Sequence, residues 1–127
     1  MKEGKLMQSD IELLKDSLLE KFNIIKIVLF GSHAANSATD ESDIDLCVIA
    51  DVQDIDSLER DINLYIYDPK GLNFKKSVDI VAYNPQQWTE NVATKGSFAQ
   101  LIAKKGVTLH GWYQKLFGMA WQGIWWY

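Results

Sequence analysis

The sequence predicts a single α/β domain, and three observations carry that prediction. Three short apolar runs rich in β-branched residues, "IIKIVLF", "DIDLCVIA" and "SVDIVAY", each read as a buried strand. Stretches with three- and four-residue apolar spacing separate and follow them, as amphipathic helices require. The chain has 127 residues, 47% hydrophobic and 24% charged, which is one domain's worth with an ordinary globular composition.

Taken in order, the first element is a helix over about 10–22. Ser9 and Glu12 form an S-x-x-E capping box at its expected start, and Ile11, Leu14, Leu18 and Phe22 recur along one face. Strand 24–30 follows, and Gly31 breaks it. "SHAANSA" predicts a short helix starting at Ser32. Strand 43–50 comes next. "DIDSLERDINLYIYD" is helical, with Asp54–Asp56 supplying N-cap chemistry and Ile55, Leu58, Ile62 and Tyr65 on one face. Pro69 and Gly71 end it. Strand 77–83 leads through Asn84-Pro85 to a helical stretch over 86–94. "GSFAQLIAKKG" predicts a helix and "VTLH" a short extended end. The order is α-β-α-β-α-β-α-α, without repeat, low-complexity segment or linker.

Composition excludes several classes. The net charge is −4 and Arg60 is the one arginine, so a general basic surface for nucleic acid is absent and no nucleic-acid partner is expected. Phosphate handling must rest on lysine, metal ions and backbone N–H groups. Cys47 is the single cysteine, which rules out an internal disulfide; within "LCVIA" it reads as a buried small hydrophobe. No stretch reads as a signal peptide or reaches the ~20 apolar residues of a membrane span, so a cytoplasmic protein without a membrane partner is expected. From Asp40 to Asp61 there are nine acidic residues and one basic one. Beyond Asp45 that run reads equally as a solvated helix face.

The chemistry concentrates in "FGSHAANSATDESDIDL", Phe30 to Leu46. Residues i and i+2 of a strand share a face, so Asp43 and Asp45 place two carboxylates side by side while Ile44 and Leu46 turn to the core. Like charges so close repel unless a cation holds both. A hard divalent ion such as Mg²⁺ suits oxygen ligands and completes its shell with water and substrate phosphates. Asp79, among the apolar residues of the third strand, is the candidate third carboxylate. Three such groups allow two ions about 3.5–4 Å apart, clamping the attacking and leaving oxygens of a phosphoryl displacement. Gly31 lets the backbone approach a ligand, and Ser32 opens a helix whose N–H groups and hydroxyl suit a phosphate.

"LFGS", nine residues, "SDIDLCVI" and later "VDIV" together resemble the minimal nucleotidyltransferases of the DNA polymerase beta-like nucleotidyltransferase superfamily. The resemblance runs from about Ile24 to Gly111. It implies the nucleotidyltransferase fold, a small mixed β-sheet flanked by helices, and transfer of a nucleoside monophosphate from an Mg²⁺-bound NTP to a hydroxyl. On this reading Asp43, Asp45 and Asp79 are the catalytic carboxylates and the ligands of two Mg²⁺ ions. Gly31, Ser32, His33, Asn36 and Ser42 form the nucleotide-binding set. The chain departs from the common G-S-x-A-R-G pattern: Ala35 stands where arginine is common and Asn36 where glycine is. Asn36 preserves a left-handed turn; the missing arginine removes a charge-assisted phosphate contact, and His33 offers partial compensation. Standalone chains of this kind resemble the antitoxin of HEPN–nucleotidyltransferase toxin–antitoxin pairs, which implies a HEPN ribonuclease toxin as partner and AMP transfer from ATP to it. Two alternatives stand beside this: a non-catalytic toxin-binding module of the same fold, and a small-molecule, antibiotic-modifying nucleotidyltransferase. The three carboxylates argue for activity on the expectation that they are buried, since unpaired buried carboxylates cost stability.

Residues 1–111 are expected to form the domain and 112–127 its Trp-rich tail, which holds four of the five tryptophans. The tail has three open placements: packed back as a final helix, docked on a partner, or laid on a membrane surface. If it does not pack back, its exposed aromatic residues imply a homo-oligomer or another partner.

Overall fold

The structure, a computed structural model, describes residues 2–111, and side chains from residue 10 onward. The Trp-rich tail, and every expectation placed on it, lies outside the described residues. The elements are α1 (Lys2–Lys21), β1 (Ile24–Phe30), α2 (Gly31–Ala34), β2 (Ile44–Ala50), α3 (Ile55–Tyr67), β3 (Val78–Tyr83), α4 (Pro85–Val92), α5 (Phe98–Lys105) and β4 (Val107–His110). The four strands form one mixed sheet in the order β3-β2-β1-β4. β1 is antiparallel to β2 and β4, while β2 and β3 run parallel.

Two expected boundaries are corrected: β2 starts at Ile44, so Asp43 precedes the strand instead of opening it, and α1 starts before its capping pattern. Ser9 does not start α1, which begins at Lys2. The residues before Ser9 include Lys, Glu, Leu, Met and Gln, all good helix formers, so the helix runs through the capping pattern. The expected face holds: Leu14 and Leu18 are fully buried, with Ile11 and Phe22 packed beside them. In α3 the Asp54 side chain accepts from the Ser57 N–H, so the second "DID" is a helix cap. Asn84 and Gln87 cap α4 reciprocally, and Ser97 caps α5.

β2 is buried on both faces from Leu46 to Ala50, which explains its unbroken apolar run. One face joins Ile27, Leu29, Ile44, Leu46 and Val48 to residues of α1 and α3. The other joins Val28, Cys47 and Ile49 to Trp88 of α4 and to Ala99 and Ile102 of α5. Cys47 is buried as expected, and burial pushes its thiol well above the ordinary range. Lys26 is also buried, and desolvation lowers its ammonium to about 8.

β3 is an edge strand whose outer edge is closed by side chains. The Val78 N–H donates to the Tyr67 hydroxyl at 2.7 Å, and that hydroxyl donates back to the Val78 carbonyl at 3.3 Å. Two helical turns earlier, Glu59 accepts from the Ala82 N–H at 3.1 Å. α3 thus satisfies backbone groups that would otherwise template pairing with another chain. Tyr67→Phe leaves the buried Val78 amide without its acceptor. The expected cost is about 1–3 kcal/mol in a urea unfolding titration, and an unchanged midpoint would refute this role.

Candidate functional site

The sheet brings the sequence-marked residues to one end, where β1 finishes and β2 and β3 begin. Phe30 is extended, and Gly31 then turns the chain with φ +74°, a conformation that favours glycine. In the β1–β2 ladder Phe30 stands opposite Asp45; in the β2–β3 ladder Asp45 stands opposite Asp79. Ile44 and Leu46 point the other way into the core, as the two-residue period requires. The Asp45 carboxylate lies directly over the Gly31 α-carbon, where a β-carbon would collide with its Oδ2.

Asp45 is half-buried, and its carboxyl is held above the ordinary aspartate value. Burial is the largest cause. Next come the charge of Asp79 and a hydrogen bond between the two carboxyl groups, then the charge of Asp43; His33 pulls the other way. Asp43 and Asp79 are both exposed, so the expectation of three buried carboxylates is corrected. Water solvates two of them, and the stability argument for activity does not apply to those two. Among the described residues, no group of three or more His, Cys, Asp or Glu side chains is gathered in metal-holding geometry. The three aspartates are neighbours without forming a ready-made cage.

The remaining candidates divide. His33 lies close enough to act on Asp45, and its Nε2 is 3.4 Å from the Ser42 carbonyl oxygen. The Ser42 hydroxyl accepts from the Thr39 N–H at 2.9 Å, which closes the turn before β2. Asn36 adopts φ 63°, the left-handed conformation expected of it, and is exposed. The Ser32 carbonyl accepts from the Ser37 N–H at 3.0 Å, finishing the short α2.

A groove opens beside the carboxylates. Asp45 and Asp79 line it with Phe30, Phe98, Asn63 and residues of β3. Sequence reasoning missed Phe30, Phe98 and Asn63. The available signal for Phe98 was its place right after a capping serine, where a large apolar residue at a helix start can be left facing solvent.

The model of the "Polymerase beta, Nucleotidyltransferase" family matches residues 12–109. The chain belongs to this nucleotidyltransferase family. Its match spans α1 through β4 and includes the whole carboxylate end of the sheet. The family's fold is also found in solved structures. A toxin-antitoxin with AMP-PNP superposes with a TM-score of 0.53, at 23% identity over 82% of this chain and 72% of that one. A mutant form of the toxin-antitoxin MntA-HpeT gives 0.50, at 20% identity over 84% and 74%. At these identities the likeness is one of fold. Among curated proteins none matches the chain. No helix of the described residues is long and apolar enough to cross a membrane.

Proposed function

We propose that this nucleotidyltransferase transfers AMP from ATP to a hydroxyl of a partner protein, acting as the antitoxin of a pair with a HEPN ribonuclease toxin. The observation that carries the reading is the opposition of Asp45 and Asp79 across β2–β3, with Asp45 resting on Gly31. A phosphate seat, a carboxylate pair and an open groove then meet at one sheet end. The toxin-antitoxin assemblies that share the fold, one of them with AMP-PNP, supply the setting.

The donor set fits Mg²⁺. Asp45 carries a repulsion from Asp79 and Asp43, offset only in part by His33, that a divalent cation would relieve. Mg²⁺ is commonly held by one or two carboxylates plus substrate phosphates, so a complete protein cage is not required. Asp43, Asp45 and Asp79 would be its ligands. Bound there, the metal would supply charge neutralisation for the reacting phosphate. The chain's own residues do the rest. Backbone N–H groups at Gly31 and Ser32 seat the triphosphate, with His33, Asn36 and Ser42 shaping the loop around it. Asp79, exposed at the outer side, takes the proton of the acceptor hydroxyl. The acceptor oxygen bonds to the α-phosphorus, the bond to the β-phosphate oxygen breaks, and pyrophosphate leaves.

The test is incubation of the protein with ATP labelled at the α-phosphate, Mg²⁺ and a lysate of its source cells, beside an Asp43→Asn, Asp45→Asn double variant. One protein band labelled only by the native chain is the expected result. Equal labelling by the double variant would refute the assignment of the carboxylates. Binding of ATP and Mg²⁺ with no labelled acceptor would instead favour the toxin-binding module.

A further inference from the structure

We propose that Phe98, braced by Phe30, is the shelf on which the nucleobase of the donor nucleotide stacks. This inference rests on the nucleotidyl-transfer reading and assigns its substrate-recognition residue. The two rings meet edge to face, with centroids 5.5 Å apart and planes at 87°. Both line the groove that contains Asp45 and Asp79. Phe98 is nevertheless 49% exposed, although α5 buries Ala99 and Ile102 beside it. The Ser97 cap fixes Phe98 as the first residue of α5, so the ring is held in place on a rigid element.

Strand order decides which substrate the shelf serves. Across the sheet the sequence is Asp79 on β3, Asp45 on β2, then Phe30 on β1, followed directly by the turn at Gly31. The aromatic pair therefore flanks Asp45 on the side of the phosphate seat, and Asp79 flanks it on the other. The nucleotide belongs on the Phe30 side and the acceptor hydroxyl on the Asp79 side. A ring exposed near the phosphates meets the base of that nucleotide.

The shelf reads a base by its face. Gln100, the amide side chain of α5, is committed at both ends: its Oε1 accepts from the Gly96 N–H and its Nε2 donates to the Val92 carbonyl. Asn63, the amide that lines the groove, donates its Nδ2 to the Glu59 carbonyl. Stacking on an aromatic ring tolerates any base and strengthens with the area of the π-face. A purine nucleotide is therefore bound more tightly than a pyrimidine one.

Calorimetry in Mg²⁺ decides the matter, with ATP, CTP and inorganic tripolyphosphate as probes of the native chain, Phe98→Ala and Phe98→Leu. The expected result is tighter binding of ATP than CTP, and about a tenfold loss of ATP affinity in Phe98→Ala. Tripolyphosphate, which has no base, binds all three chains alike. Phe98→Leu keeps the apolar bulk and loses the flat face, so it too loses ATP affinity, and it serves if the alanine variant does not fold. Native ATP affinity in the variants overturns the shelf and leaves the transferase reading standing. An equal loss of ATP and tripolyphosphate overturns it also, since the damage is then not at the base. A native chain that binds none of the three probes overturns the nucleotide reading, and the shelf with it.

Discussion

Asp45→Asn is expected to remove nucleotidyl transfer and at the same time raise the melting temperature of the metal-free protein. The two effects have one cause. Burial, Asp79 and Asp43 all disfavour the charged form of Asp45 in the folded chain. Its folded pKa therefore lies above the ordinary 3.8 of the unfolded chain. Below 3.8 the group is protonated in both states and the fold has its full stability. As pH rises through the raised folded value, the unfolded chain releases its proton more readily, and that stability is lost. Asparagine mimics the protonated form. It should be neutral in effect below about pH 3.8 and stabilising at pH 7. Transfer needs the charge that stability disfavours, so activity should fall about 10²–10³-fold or more, as when a group that stabilises transition-state charge is removed. Thermal melts across pH, set beside the labelling assay, test both halves. An asparagine variant that melts lower than the native chain at pH 7 would contradict the electrostatic account.

How far the sequence revealed this site depended on how local each signal was. The neighbourhood of Asp45 and Asp79 was legible because strand periodicity fixes the face of a side chain, and Asp45 does stand opposite Asp79; Asp43 precedes β2, where that period does not hold. Asn36 was legible because few residue types tolerate a left-handed backbone. The N-cap role of Asp54 followed from its place before an apolar period. Ser9 misled because a capping pattern inside a longer run of helix formers carries no information about where the run begins. Exposure was the larger gap. Apolar neighbours made Asp79 look buried, but β3 is an edge strand and its carboxylate faces water. Phe98 carried only the weak signal of its place after the capping Ser97. Its meeting with Phe30 spans most of the chain, and α5 reads equally well with that ring turned inward.

The second large effect is expected at Gly31, which contributes no side-chain chemistry. Gly31→Ala meets two obstacles that reinforce each other. The backbone sits at φ +74°, where a β-carbon costs about 1–2 kcal/mol. That β-carbon would also collide with Oδ2 of Asp45 and lie 3.1 Å from its Cγ. The residue is exposed, so the chain folds around the substitution by moving either the turn or the carboxylate. Either movement separates the Gly31 turn, the proposed phosphate seat, from Asp45, and a misplacement of about 1 Å is enough for a 10²-fold loss in rate. Gly31→Ala is therefore expected to fold with reduced stability and to transfer nucleotide at least about a hundredfold more slowly. Asp45→Ala supplies the discriminating cross. If the clash is with Asp45, removing that carboxylate should return part of the stability lost by Gly31→Ala, a non-additivity that a double-mutant cycle reads directly. Strictly additive losses would place the whole cost in the backbone, and the close packing of glycine and carboxylate would then have no energetic weight.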